Sequence, residues 1–202
     1  MNKCMRAAMA AVCLGSLALT GCESTDEGVP ATQIDPSERG FVAGTGVESQ
    51  DLIQVSDKMA RSILSTPQIA NAQNPPTIGL LPVENNTRFP IQKDIFNKRI
   101  KALLSTRCAG KVTFVARDRI EAIRQEKEMK ARGEVTNTGE KPVLGVDFFL
   151  TGELTGLSSA TSAGRSDYVL YTFCLIDAES SAEVWEDFAE IKKQGLEDAA
   201  YR

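Results

Sequence analysis

Val146-Asp147-Phe148-Phe149-Leu150-Thr151-Gly152-Glu153-Leu154-Thr155-Gly156-Leu157 is the stretch that decides the fold. Its apolar side chains alternate, with Phe148 and Leu150 on one face and Phe149 on the other, so it reads as one long strand. Residues 158–166 are small and form a turn. Residues 168–177 and 184–191 then read as two more strands, and residues 178–182 connect them tightly. The C-terminal part is therefore an antiparallel meander.

Upstream of it the period changes. Leu52, Val55, Met59 and Ile63 recur at three- and four-residue steps and define a first helix. Thr45 and Glu48 have the spacing of a capping box at its start, and Pro67 limits its extension. Residues 77–83 form a short apolar run bounded by prolines, predicted as a buried strand, and residues 85–90 a polar turn. Ile95, Phe96, Ile100, Leu103 and Leu104 mark a second helix, closed near Gly110. Residues 112–115 make a further strand. Asp118 is placed to cap a third helix with Ile120, Ile123 and Met129 inward and Gly133 as its stop. The charged run 124–132 has mixed signs and reads as a solvated face. The expected fold is α+β, with helices packed on a mixed, largely antiparallel sheet.

The N-terminus has a different purpose. Lys3 and Arg6 precede an apolar run over residues 7–19, shorter than the ~20 residues that span a bilayer. This is a signal peptide, residues 1–21. It ends in Leu19-Thr20-Gly21-Cys22, which resembles the lipobox of bacterial lipoproteins. That resemblance implies cleavage before Cys22 and lipidation of its thiol. Glu23 follows the cysteine; by resemblance to the common sorting pattern, the absence of Asp there favours the outer membrane. Residues 22–47 read as a flexible acidic linker, because Glu23, Asp26, Glu27, Asp35 and Glu38 stand against Arg39 alone. Residues 48–202 form the globular domain. Cys108 and Cys174 are either bridged, as an oxidising compartment permits, or two separate buried thiols.

Composition narrows the function. The 202 residues carry 23 Lys+Arg, 27 Asp+Glu and no histidine. That excludes a Ser-His-Asp triad, a Cys-His pair and any imidazole-bound zinc. The mild acidity argues against nucleic acid as a partner. The glycine pair in Ala43-Gly44-Thr45-Gly46 lacks the lysine of a P-loop and reads as a hinge. Neither Cys108 nor Cys174 belongs to a C-x-x-C pair, so thiol redox catalysis and cysteine-bound zinc lack support. No catalytic, cofactor-binding or metal-binding residue is assigned. The surface candidates for a protein partner are Asn85, Asn86, Arg88 and Phe89 in one turn, with Arg165 and Tyr168 at the end of another. Phe89, Tyr168 and Tyr171 are expected to be partly exposed.

Several pieces in order carry a family resemblance over roughly residues 50–192. They are Asp51 to Met59-Ala60; Gly79-Leu80-Leu81-Pro82-Val83-Glu84-Asn85-Asn86-Thr87; Asp147-Phe148-Phe149-Leu150-Thr151-Gly152; Leu175-Ile176-Asp177-Ala178; and Glu183-Val184-Trp185. With the lipobox, they resemble the LpoB family of penicillin-binding protein activators. The resemblance implies a fold similar to the N-terminal domain of TolB. It implies a non-enzymatic outer-membrane lipoprotein facing the periplasm, which binds a class A penicillin-binding protein and stimulates its peptidoglycan synthesis. Better-known members have a longer, proline-rich tether, whereas residues 22–47 here contain only Pro30 and Pro36. The alternative reading is a lipoprotein subunit of another envelope assembly or secretion system on a similar fold.

Overall fold

The computed structural model describes residues 31–40, 43–107, 110–137, 139 and 141–196. The predicted signal peptide, Cys22, Cys108 and residues 23–30, 41 and 42 of the predicted linker lie outside the described residues. The described elements belong to a compact unit that begins at Ile34.

Four α-helices and six strands occur among the described residues: α1 (Ser49–Ser65), α2 (Pro67–Ala70), β1 (Thr77–Leu80), β2 (Glu84–Asn86), α3 (Ile95–Arg107), β3 (Thr113–Phe114), α4 (Ile120–Ala131), β4 (Phe148–Thr161), β5 (Gly164–Asp177) and β6 (Glu183–Gly195). The strands form one sheet in the order β3-β1-β4-β5-β6, with β2 beside β4 beyond the end of β1. The pairs β1–β3, β1–β4 and β2–β4 are parallel and short. The pairs β4–β5 and β5–β6 are antiparallel and run almost the full length of the strands. The sheet is thus mixed and largely antiparallel, as expected.

Alternation places Leu150, Leu154, Val169, Tyr171, Phe173 and Leu175 on one face, all fully or nearly buried. Val55, Met59 and Ile63 of α1 and Phe96, Ile100 and Leu104 of α3 cover that face and are inaccessible to solvent. Each such side chain contributes about 1.5–3 kcal/mol through burial. The Phe96 ring meets Tyr171 at 5.5 Å and Phe173 at 6.0 Å between centroids, which fixes α3 on the sheet centre. Trp185 donates its indole N–H to Ser62 Oγ at 3.0 Å and ties α1 to β6. The opposite face is partly exposed. Leu157 and Phe188 stand on it 71% and 51% exposed.

Local departures from expectation have physical causes. The capping box of α1 lies three residues later than Thr45–Glu48: Glu48 is the N-cap, and its N–H donates to Asp51 Oδ2 at 2.9 Å. Thr45 is instead buried, held by a distant carboxylate. The apolar run 77–83 breaks at Pro82, which has no N–H for the ladder. Side chains patch the break. Asn97 Nδ2 donates to Leu81 O at 2.9 Å, Thr151 Oγ1 to Pro82 O at 2.9 Å, and the Val83 N–H to Asp94 Oδ1 at 3.2 Å. The chain then re-joins the sheet, so Asn85 and Asn86 lie on a strand rather than in a turn.

The small-residue segment 158–166 is also more regular than expected. Thr161 pairs with Gly164, and the hairpin closes over two residues. Gly164 has φ +142°, and a Cβ there would lie 2.7 Å from Gly195 O, so the tip requires glycine. Helix α4 differs most. It starts at Ile120, without a side-chain cap from Asp118, and has no buried residue. Ile123 is 36% exposed. Gly133 does terminate it, at φ +74°. Among the described residues no helix is long and apolar enough to cross a membrane.

Candidate functional site

The two segments singled out by sequence meet in space. Asn85 Oδ1 accepts from the Thr87 N–H at 3.1 Å and from Thr87 Oγ1 at 2.7 Å. Asn85 Nδ2 donates to Phe89 O at 2.9 Å. This Asx turn reverses the chain immediately after β2 and aims Arg88 at β5. Arg88 Nε then lies 2.9 Å from Asp167 Oδ1, and Nη2 lies 2.7 Å from Oδ2, a bidentate fork. Ser158 Oγ donates to Asp167 Oδ1 at 2.5 Å, and Thr45 Oγ1 donates to Oδ2 at 2.5 Å. One inaccessible carboxylate thus joins β4, β5, the turn after β2 and the strap before α1.

Burial alone would raise the Asp167 pKa. The hydrogen bonds from Arg88, Ser158 and Thr45, with the Arg88 charge, outweigh it and hold the carboxyl well below the usual carboxylate range. Asp167 stays ionised under any ordinary condition. The cluster is saturated by its own partners, and its chemistry is to hold four chain segments in register.

The six sequence candidates do not form one exposed patch. Arg88 contacts Asp167, and Asn85 and Phe89 belong to the turn that carries Arg88. Phe89 is only 3% exposed and lies under the Arg88 guanidinium at 4.4 Å, so it is not the exposed aromatic that was expected. Tyr171 is fully buried, which corrects the same expectation there. Arg165 shares the face of Asp167 by alternation and pairs across to Gly195. Asn86 and Tyr168 belong to the open face. Asn86 Nδ2 donates to Glu153 Oε1 at 2.7 Å, and the Tyr168 hydroxyl donates to Glu190 Oε1 at 2.8 Å. The Glu190 contact raises the Tyr168 phenol above its ordinary value.

A second polar junction closes the same end of the domain. Lys193 Nζ donates to Asp51 Oδ2 at 2.7 Å and to Gly46 O at 2.9 Å, with Glu48 Oε2 3.5 Å away. Gly44, Thr45 and Gly46 are buried between these two junctions. The segment predicted as a hinge is a pinned strap. Sequence reasoning did not single out Asp167, Ser158 or the pinning role of Thr45. Asp167 did leave a signal: the alternation Val169, Tyr171, Phe173, Leu175, extended backwards, puts this acid on the core face, where a charge must have a partner.

Cys174 is a free, half-buried thiol on the open face. Burial, then Glu183 and Glu186, pushes its pKa up to about 11.

These features define an α+β domain with a helix-covered sheet face stapled at one end by two polar junctions. Residues 51–191 match the sequence profile of the family described as peptidoglycan-synthase activator LpoB. The chain belongs to the LpoB family. Among solved structures it is similar to the LpoB C-terminal domain from Salmonella enterica, at 10% identity and TM-score 0.44, covering 70% of this chain and 98% of that one. The solution structure of Escherichia coli LpoB matches at 11% identity and TM-score 0.43, over 96% of this chain and 97% of that one. Lipoprotein GNA1162 from Neisseria meningitidis matches at 20% identity and TM-score 0.38, over 59% and 84% of the two chains. A search of the curated proteins returns no match.

Proposed function

We propose that this chain is a lipid-anchored outer-membrane protein that binds a class A penicillin-binding protein and stimulates its peptidoglycan synthesis. The observation that carries the reading is the family match over residues 51–191. The Leu19-Thr20-Gly21-Cys22 lipobox supports the anchor: lipidated Cys22 holds the chain at the membrane, and residues 22–33, ahead of the compact unit, serve as its tether. An extended chain spans at most about 3.3–3.6 Å per residue, so this tether reaches on the order of 40 Å. The domain acts by contact and carries no catalytic step of its own.

Two measurements test this. The purified lipoprotein is added to a class A synthase, and glycan polymerisation is followed; stimulation is expected. No stimulation, together with no synthase crosslinked to the protein in intact cells, refutes the reading. Crosslinking to an outer-membrane pore or appendage protein instead favours the second envelope role. For the anchor, palmitate labelling is expected in the wild type and absent in Cys22→Ala.

A further inference from the structure

Helix α4 stands apart from the other described α-helices, each of which buries at least one residue. It spans Ile120–Ala131 without one buried residue. Its apolar side chains Ile120 and Ile123 instead line a groove whose other wall is the segment 142–144. Val143 and Leu144 in that wall are 44% and 56% exposed. The groove has a volume of about 290 Å³. That is room for a few side chains, not for a helix.

The rim is cationic. Arg117, Lys127 and Lys141 line the groove, and no carboxylate does. Two of these cations also brace the wall: Arg117 Nη2 donates to Leu144 O at 2.9 Å, and Lys127 Nζ to Lys141 O at 2.6 Å. The groove is therefore preformed. A second hollow of about 260 Å³ adjoins it, shares Val115 and Arg117, and adds Lys98 and Lys101. Asp94 and Asp118 line this second hollow, and Asp94 is engaged by the Val83 N–H. Cations thus outnumber acids along the combined surface, on a chain whose formal net charge is −4. An apolar floor with a basic rim selects an acidic segment bearing apolar side chains.

We infer that this groove is where the protein docks on its synthase, through an acidic segment of the synthase with apolar side chains seated against Ile123 and Leu144. The inference rests on the function proposed above and adds the surface and the chemistry of the partner. Attraction between opposite charges steers the encounter, and the apolar floor, once covered, slows release.

The experiment uses the full-length lipoprotein in detergent and a purified class A synthase. Lys98 and Lys141 are exposed, so the Lys98→Glu/Lys141→Glu variant reverses the rim charge without touching the core. Its affinity is expected to fall about tenfold or more, with a matching loss of stimulation. Ile123→Asp is expected to do the same. Lys192→Glu, an exposed change on β6, is expected to bind within about twofold of wild type. Wild-type affinity is expected to weaken with added salt. If the glutamate pair lowers the melting temperature, the Lys98→Gln/Lys141→Gln pair replaces it, with a smaller loss expected.

Wild-type stimulation with groove variants that bind and stimulate equally well overturns this surface while leaving the function intact. No binding by wild type overturns the function itself. Two other results also overturn the assignment: self-association of wild type that the same variants abolish, which makes the occupant a second copy, and groove-dependent binding to anionic phospholipid vesicles, which makes it a membrane.

Discussion

Arg88 and Asp167 lie 79 positions apart in the chain and meet as a two-pronged ion pair, at 2.9 and 2.7 Å. The carboxylate is inaccessible, whereas the guanidinium keeps 30% of its surface. Removal of the acid therefore leaves an arginine that water can still reach. Removal of the base leaves a buried anion with only two hydroxyl donors.

That asymmetry makes the pair a pH-sensitive support. The folded pKa of Asp167 is depressed, while an unfolded aspartate titrates near about 3.9. The contribution is complete above roughly pH 5 and is lost progressively as acid is added. Urea denaturation is expected to show stability falling from pH 5 towards pH 2. Asp167→Asn is expected to lower stability at neutral pH by about 2–4 kcal/mol and to flatten that acid slope.

Lys193 anchors the other junction. Its loss strands the Asp51 carboxylate, whose side chain is only 6% exposed, with the Glu48 N–H as a remaining donor. Lys193→Met is expected to cost about 1–3 kcal/mol. Amide exchange at residues 46–52 is expected to speed up well before the sheet opens, because the strap and the first turn of α1 lose their shared cation.

Gly152 sits where the β4 backbone presses on an aromatic ring. A Cβ there would lie 2.5 Å from Phe173 Cδ1 and 2.7 Å from Thr172 O. The ring is itself fully buried, and the carbonyl is held by the ladder. Gly152→Ala is expected to destabilise the domain by about 1–3 kcal/mol, measured by denaturant midpoint.

Cys174 is protonated at neutral pH, since its thiol titrates at about 11. In a Cys22→Ser/Cys108→Ser background, alkylation by iodoacetamide at pH 8 is expected to be much slower than for glutathione. The rate is expected to climb until the pH approaches 11. Glu186→Gln is expected to bring that midpoint down, because it removes one of the two neighbouring anions.

Much of this architecture was legible in the residue pattern, for local reasons. Val55, Met59 and Ile63 lie on one side of any α-helix, whatever they pack against. Phe148, Leu150 and Leu154 lie on one side of any strand. Helix α4 shows where the pattern stops. Ile120 and Ile123 have helical spacing, but burial requires a close neighbour, and among the described residues the segment 142–144 leaves a groove open against them.

The candidate site divides the same way. The turn residues Asn85 and Phe89 were visible because an Asx turn is built from a few adjacent residues. The partner of Arg88 was not, because it depends on how β2 and β5 each register against β4.

By itself, the sequence determined most of the element types, the buried side of α1, α3 and β4, and the family. All of these rest on short-range periodicity or on runs of adjacent residues. Only the tertiary structure decided that Thr45, 122 positions from Asp167, serves that carboxylate rather than a helix cap. Only the tertiary structure left α4 uncovered beside a basic rim. Such contacts depend on the path of the whole chain, and one buried charge with a place for several donors outcompetes any local cap for the hydroxyl of Thr45.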